Sequence, residues 1–517
     1  YTCRKDNDPE WIEAKDLLDG DYLAFVSKEN DIYEIEWIPF LSYTDLGYKD
    51  YVYDIEVEHD HSFVANGVIV HNCTDLSLAG KQMGMKNRTL HYIIRFLVGD
   101  DVPSELVETI GYTADPNKFD RYNVVIIPSG FFDGQTYGTP ASLPELPLQE
   151  VQGIPLLFGS PKEEWIRDTW VVHADIIAST YFLISRYEEM VRRGLRDEHG
   201  RFPGKESLPY RAGFLHRPIV DEYRMLLHRW LRQSRLRVPE VKKQIRKIYL
   251  THDVDSPTLY RSWKGLIRSI RDRRGLYKSF QGKFGSLEKD PFYTFPWFFR
   301  QNSILQDLIG KEQCHPILFI RNGGKAKHDK PHYDLRNKDI RKLIKSALEH
   351  NVTIGLHSSY QAGTTPSLIR KEKTGLEDHI GKNVRFNRHH FLAIREPEDM
   401  DQIEAAGVTD DFTMGYADVS GFRLGTCYPV RWINPITRRL SPLRLHPLII
   451  MDCTLEEEKY MGLDFDRALT YCRNLVEQVN NVGGELVLLW HNDSVQEGSG
   501  SYLRKLYAQL LKELAKQ

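Results

Sequence analysis

No run in the 517-residue chain approaches the roughly 18 apolar residues that a membrane-crossing helix requires. The longest candidates, around Ile176–Ile184 and Glu485–Trp490, have the length of core elements, which excludes a membrane span. Cysteine is scarce. The six (Cys3, Cys73, Cys314, Cys427, Cys453 and Cys472) include no C-x-x-C pair, which argues against a disulfide scaffold and against a thiolate zinc site. A reducing, cytoplasmic setting is the expectation. An excess of one charge is also missing, since 69 Lys+Arg against 72 Asp+Glu leave a net of −3. No overall basic field calls for nucleic acid or an anionic membrane. Internal repeats and low-complexity tracts are absent. The chain opens at Tyr1 without Met or a charged-then-apolar leader, so its true N-terminus is expected to lie upstream and the missing signal peptide excludes nothing. What remains, 27% charged and 41% hydrophobic residues, is ordinary globular composition. At roughly 150 residues per domain it suggests about three domains.

The charge is unevenly spread. Residues 1–72 carry 17 acids and 5 bases, a net of −12, and the remainder carries +9. Such a swing suggests two modules of separate origin, or simply one acidic surface. The acidic part reads as β-rich. Tyr22–Ser27, Ile32–Ile38, Tyr51–Glu58 and Ser62–Val70 are rich in Tyr, Val, Ile and Phe, with Asp-Gly, Leu-Gly and Asn-Gly turn signals between them. Small and polar residues from Thr74 to Arg88 read as a linker. Leu90–Leu97 and Tyr122–Ile127 read as buried segments, and Asp175–Arg193 has helical spacing. Beyond Ile245, short apolar runs (Ile248–Leu250, Pro316–Ile320, Thr353–Leu356, Leu486–Trp490) alternate with amphipathic stretches such as Lys338–His350 and Asp466–Val479. Strands alternating with helices predict a parallel sheet or barrel.

Two sets of motifs carry chemistry. The first ends the acidic module: a Tyr53-Asp54 pair, then His61-Ser62-Phe63, Asn66-Gly67 and finally His71-Asn72-Cys73. An Asn side-chain amide can attack its own carbonyl carbon and cleave the following peptide bond, a reaction in which orientation supplies most of the rate. His71 can polarise that carbonyl, His61 can move protons near neutral pH, and Cys73 offers a thiolate nucleophile. The series, with the upstream stretch Glu10–Leu23, resembles the C-terminal splicing motifs of inteins, with Asp54 implied as a positioning group. An intein opens with a nucleophilic Cys or Ser followed by Thr-x-x-His, and neither precedes Glu10; Cys3 lies too close. The resemblance therefore implies a partial intein, whose partner would be the missing N-terminal half. Such a segment is capable of Asn72 cyclisation but not of complete splicing alone.

The second set begins with Thr251-His252-Asp253-Val254-Asp255 at the end of an apolar strand. It continues with Gly355-Leu356-His357-Ser358-Ser359-Tyr360, Arg388-His389-His390-Phe391, Asp411–Asp418, Gly421-Phe422-Arg423 and Leu489-Trp490-His491-Asn492. In order and spacing these resemble the polysaccharide deacetylase family across about residues 245–515, in a branch with an extra N-terminal domain. The resemblance implies a distorted (β/α) barrel that removes N- or O-acetyl groups with a divalent metal, commonly zinc. It implies Asp253 as the base that activates water, Arg388 as its orienter and His491 as the acid for the leaving amine. Asp255 and His357 would be metal ligands, and Tyr360 and Phe391 substrate contacts, with backbone N–H near Phe391 serving the oxyanion.

One departure bears on the metal. The family's second histidine, four residues after His357, is Gln361 here, and His390 stands where the family carries Pro. Either His390 replaces the lost ligand, or His389 and His390 are core histidines around a weakened site. The expectation is thus an α/β chain in four parts: a small all-β Hint-like segment (1–72), a linker (73–87), an α/β accessory domain (88–240) and a deacetylase-like barrel (241–517). Its substrate would be an acetylated carbohydrate. The competing reading is a deacetylase-fold binding module with a degraded metal site; a two-carboxylate glycoside hydrolase is weaker, because it leaves His357, Arg388 and His491 unexplained. His315, His332 and His446 read as structural; the aromatic run Phe292–Phe299 reads as core or a domain interface, with stacking on sugar rings as the alternative. His173-Ala174-Asp175 and Ser185–Glu189 read as salt-bridged helix faces.

Overall fold

A computed structural model describes residues 2–4, 21–29, 32–39, 62–65, 68–71, 87–261, 267 and 276–516. The chain divides into two compact units, Tyr1–Met83 and Gly84–Gln517.

The first unit is antiparallel. β1 (Thr2–Arg4), β2 (Asp21–Glu29), β3 (Ile32–Pro39), β4 (Ser62–Ala65) and β5 (Val68–His71) form one sheet in the order β1-β2-β5-β4, with β3 on β2. β2 and β3 pair from Tyr22↔Pro39 to Glu29↔Ile32, so the β-branched and aromatic runs do form strands. Ala65 pairs with Val68 across Asn66-Gly67, as that turn signal predicts. The expected strand Tyr51–Glu58 lies outside the described residues. So do Asp54, His61, Asn72 and Cys73; His71 is described only as the last backbone position of β5.

In the second unit the helix Asn87–Val98 opens the chain. Leu90–Leu97, expected as a buried segment, is the middle of that helix, and only one face is covered. Ile93, Ile94 and Leu97 are buried while His91 is exposed, which is the period of 3.6 rather than of a core strand. A four-stranded sheet follows, ordered β10-β11-β7-β6, from β6 (Ile110–Tyr112), β7 (Val124–Ile126), β10 (Gly159–Ile166) and β11 (Thr169–Ala174). β8 (Gln149–Val151) and β9 (Ile154–Leu156) make a separate hairpin. His173 and Ala174 thus end a strand, not a helix face. Asp175 caps the next helix, Ile176–Ile184, by accepting from the Ala178 N–H at 2.9 Å. Every residue of that helix is buried, as expected of a helix apolar all round.

The larger sheet has nine strands in the order β17-β18-β16-β15-β14-β13-β12-β20-β19 and curls into a half-barrel. Its strands are β12 (Lys247–Val254), β13 (Cys314–Ile320), β14 (Thr353–Ser358), β15 (Phe386–His389), β16 (Asp410–Asp411), β17 (Val430–Ile433), β18 (Leu440–Leu445), β19 (Ile450–Met451) and β20 (Glu485–Leu489). All neighbours are parallel except the β17–β18 pair. Parallel strands are covered on both faces and so read as unbroken apolar runs, which is why Ile248–Leu250 and Leu486–Trp490 are conspicuous in the sequence. Helices Lys338–Glu349 and Phe465–Val482 lie in the connections; the latter is capped by Asp464 at its start and by Gly483, at φ 69°, at its end. Phe295, Phe298 and Phe299 of the aromatic run are core.

Residues before and after position 240 share one hydrophobic core. Buried ions stitch them together. Glu189 takes Arg186 (Nη2 at 2.6 Å) and Arg423 (Nη2 at 2.8 Å), all three buried. Burial would raise the Glu189 pKa, but the two guanidinium groups hold it below its usual value. Ser185–Glu189 is therefore ion-paired as expected, but as a core junction rather than a solvated face. Asp418 accepts from the backbone N–H of Gly204 (2.8 Å) and Lys205 (3.1 Å). The Asp411–Asp418 and Gly421–Arg423 motifs thus serve partly to dock residues 188–205. Glu189→Gln leaves two buried guanidinium groups short of a counter-charge; an expected loss of about 3–5 kcal/mol is measurable by urea unfolding.

Candidate metal and active site

The parallel register puts the carboxyl ends of β12, β14, β15, β19 and β20 on one side, and the chemical residues of the second motif set cluster there. Asp253 is the last residue but one of β12 and Asp255 lies just beyond it, two apart and so directed to one side. They line a cleft of about 350 Å³ together with His357, His390, Phe391, Asp452 and His491.

Asp255, His357 and His390 present ligand atoms within 4.8 Å of one another, a group that could hold a metal ion. His357 Nε2 lies 3.0 Å and His390 Nε2 3.2 Å from the same Asp255 Oδ1. Each ring is oriented from behind. His357 Nδ1 is 3.0 Å from the Arg388 carbonyl oxygen, an obligate acceptor, so Nδ1–H donates and Nε2 keeps its lone pair for the cleft. His390 Nδ1 lies 3.2 Å from Asp329 Oδ1, and Asp329 is itself fixed by the N–H groups of Tyr360 and Gln361. This is the carboxylate–histidine pairing that orients metal ligands. Two imidazole nitrogens and one carboxylate with a site left open suit zinc or another divalent cation. Burial would raise the Asp255 pKa, yet His390 and His357 hold it well below the usual carboxylate range; burial would lower that of His390, and Asp255 and Asp329 raise it.

Gln361 does not join the group. Its Oε1 accepts from the Lys325 N–H at 2.8 Å. His389 also stays apart: it is buried beside Asn387, and burial pushes its pKa down to about 3. Of the two adjacent histidines only His390 reaches the metal group.

Asp253 lies beside the cluster, its Oδ2 3.7 Å from His357 Nε2. Arg388 Nη1 donates to its Oδ1 at 3.1 Å and to Thr251 Oγ1 at 2.6 Å, with the guanidinium 4.6 Å above the Phe319 ring. His491 faces Asp255 Oδ2 across 3.9 Å and is backed by Asp452, whose Oδ1 is 2.8 Å from His491 Nδ1. Asp452 Oδ2 accepts from the His491 N–H and the Ser494 hydroxyl. Burial would lower the His491 pKa, but Asp452, with Asp255 and Asp253, raises it well above the ordinary value.

Phe391 and Leu392 adopt left-handed backbone (φ 61° and 53°), uncommon for such side chains. Arg201, from the N-terminal part of the unit, donates to the Phe391 carbonyl at 2.8 Å and lines the cleft. Tyr360 packs against Phe391 and His199 and is not among the cleft-lining residues. Asp329, Asp452 and Arg201 carry no motif. Only Asp452 had a usable signal, since it follows the apolar run Leu448–Met451 as Asp253 follows Ile248–Leu250.

Residues 86–235 match the family model of a family of unknown function (DUF7033). A DNA polymerase of Thermococcus aggregans is 38% identical over 68 residues, which are 13% of this chain and 3% of that protein. The chain thus spans a small fraction of that relative's length. A solved structure from Mycobacterium smegmatis, provisionally titled a polysaccharide deacetylase, is 15% identical, with the match covering 54% of this chain and 86% of that one at a TM-score of 0.34.

Behind the site, Glu372 accepts from the Ser359 N–H (2.9 Å) and hydroxyl (2.6 Å), and burial raises its pKa from 4.5 to about 7. The unfolded chain ionises it first. Stability from this group is therefore highest below pH 4.5 and falls as pH rises through about 7, by on the order of 3 kcal/mol. Glu372→Gln should flatten that fall in thermal melts between pH 5 and 8. At the cluster, Asp329→Asn removes the negative charge behind His390 and should weaken zinc affinity about 10–100-fold in a chelator competition titration.

Proposed function

We propose that the second unit is a metal-dependent hydrolase that removes acetyl groups, by preference N-acetyl, from a carbohydrate. One observation carries this reading: a candidate metal group, an Arg-held carboxylate and a carboxylate-backed histidine open onto a single cleft. Asp255, His357 and His390 would hold the cation. When bound, a divalent metal polarises an acyl oxygen and makes water more acidic. Asp253, held by Arg388, takes the proton as the water oxygen attacks the acyl carbon. His491 gives its proton to the leaving nitrogen as the C–N bond breaks, and Asp452 stabilises the ring while it carries charge. Phe391 at the cleft wall is suited to a sugar face, and the N–H groups of its left-handed turn to the oxyanion.

Asp253→Asn should lower acetate release from an acetylated glucosamine oligomer by at least about 100-fold with metal content unchanged. His357→Ala should lose both. A chain purified with well under one metal per molecule, and inert when zinc is supplied, would instead fit a binding module, the reading that Gln361 favours.

For residues 1–73 we propose a partial intein limited to Asn72 cyclisation, supported by the order His61, His71-Asn72-Cys73 in the sequence. Full-length protein should slowly release a fragment ending at Asn72, and Asn72→Ala should abolish the release. Mass spectra showing only intact chain, even with an N-terminal intein half supplied, would falsify this.

A further inference from the structure

Arg224 stands out among the buried cations. It lies on the helix Ile219–Gln233 and is only 9% exposed, yet no hydrogen bond or ion pair engages it among the described residues, and its Nε is buried without a partner. Its guanidinium carbon lies 4.9 Å from the centre of the Tyr428 ring. Gly99, at φ +92°, makes room for it: a Cβ there would sit 2.1 Å from Nη2. The buried acid one turn back, Asp221, already accepts from Thr426 and Cys427. The Tyr428 face and the through-space pull of Asp221 leave the guanidinium without a hydrogen-bonded counter-charge among the described residues.

Arg224 opens onto a cleft of about 570 Å³ that it shares with His228, one helical turn on and on the same face. His228 Nε2 lies 2.7 Å from the Val98 carbonyl oxygen and must donate to it, so its buried, unpartnered Nδ1 is an acceptor. Burial lowers the His228 pKa to about 4, which keeps the ring neutral. Lys242 and Arg246 stand exposed at the rim, balanced there by exposed Asp101, Glu240 and Glu312, so the net attraction for an anion comes from the depth of the cleft.

We infer that this cleft binds a small phosphate-bearing ligand, with phosphate oxygens on Arg224 and a phosphate hydroxyl donating to His228 Nδ1. Orthophosphate near neutral pH carries both an anionic oxygen and a P–OH, whereas sulfate carries no proton. The cleft is built from Arg246, Gln313 and Gly483, just before β12, β13 and β20, and so lies at the amino ends of the strands. That is roughly 20 Å along β12 from Asp253, which makes the site separate from the metal group.

The test is calorimetric titration of the full chain with inorganic phosphate after metal removal, so that no cation at Asp255 contributes. Saturable one-to-one binding is expected, at least several-fold tighter than for sulfate. Arg224→Gln should weaken it at least about tenfold, and Arg246→Gln less. Glucose 6-phosphate run alongside separates free phosphate from a phosphorylated sugar, according to which binds more tightly. No saturable binding up to about 10 mM phosphate would overturn the inference; so would binding that survives Arg224→Gln, since the anion then sits elsewhere. If Arg224→Gln fails to fold, the exposed Arg246→Gln variant together with the phosphate-over-sulfate preference decides, and equal binding in both comparisons rejects the site.

Discussion

Two imidazole nitrogens converge on one oxygen of Asp255, at 3.0 and 3.2 Å, and the geometry around the cleft follows from keeping them there. Histidine rings rotate and change tautomer unless the far nitrogen is held. His357 is held by a backbone carbonyl of the neighbouring strand, so its orientation is a by-product of the β14–β15 register His357↔Arg388. His390 lies past the end of β15, where no strand can hold it. It needs a carboxylate from a loop, and Asp329 needs two backbone N–H groups in turn. The histidine held by the sheet is cheap to orient; the one beyond the strand end depends on a chain of three contacts.

The same contrast decides what could be read in the sequence. Asp253, Asp255, His357 and His491 were legible as positions because each stands at the end of a short apolar run, whereas Arg388, in the mostly polar strand Phe386–His389, was legible only through the motif resemblance. That His390 rather than Gln361 joins Asp255 and His357 was legible as one of two alternatives, and its Nε2 lies 3.2 Å from Asp255 Oδ1. Asp329 and Arg201 were not legible, since loop residues meet the site through folding rather than through period or spacing. The helix Asn87–Val98 was legible only as a buried segment, without its type or its uncovered face. Its apolar residues are frequent enough to look like a buried run, and His91 and Arg95, on the polar face, were the signs of amphipathicity. The docking role of Arg423 was also hidden, because a motif arginine looks the same whether it faces a cleft or a buried glutamate.

Buried arginines give the chain a common test. Arg388 is neutralised by Asp253, and Arg186 and Arg423 share Glu189. In each case the desolvated guanidinium meets a carboxylate with hydrogen bonds, the condition under which a buried charge is tolerated. Arg224 breaks the pattern while sharing the burial. It is not a packing accident of a long side chain, since Gly99 is shaped to leave its head group space and Tyr428 covers one face. The unit gives two carboxylates to those three arginines, whereas among the described residues Arg224 has no hydrogen-bonded carboxylate and feels Asp221 only through space, beside a polar cleft and an acceptor nitrogen. The sheet would then be used at both ends: the carboxyl ends for chemistry, where strand termini converge, and the amino ends for holding an anion, where a helix face and the preceding loops meet.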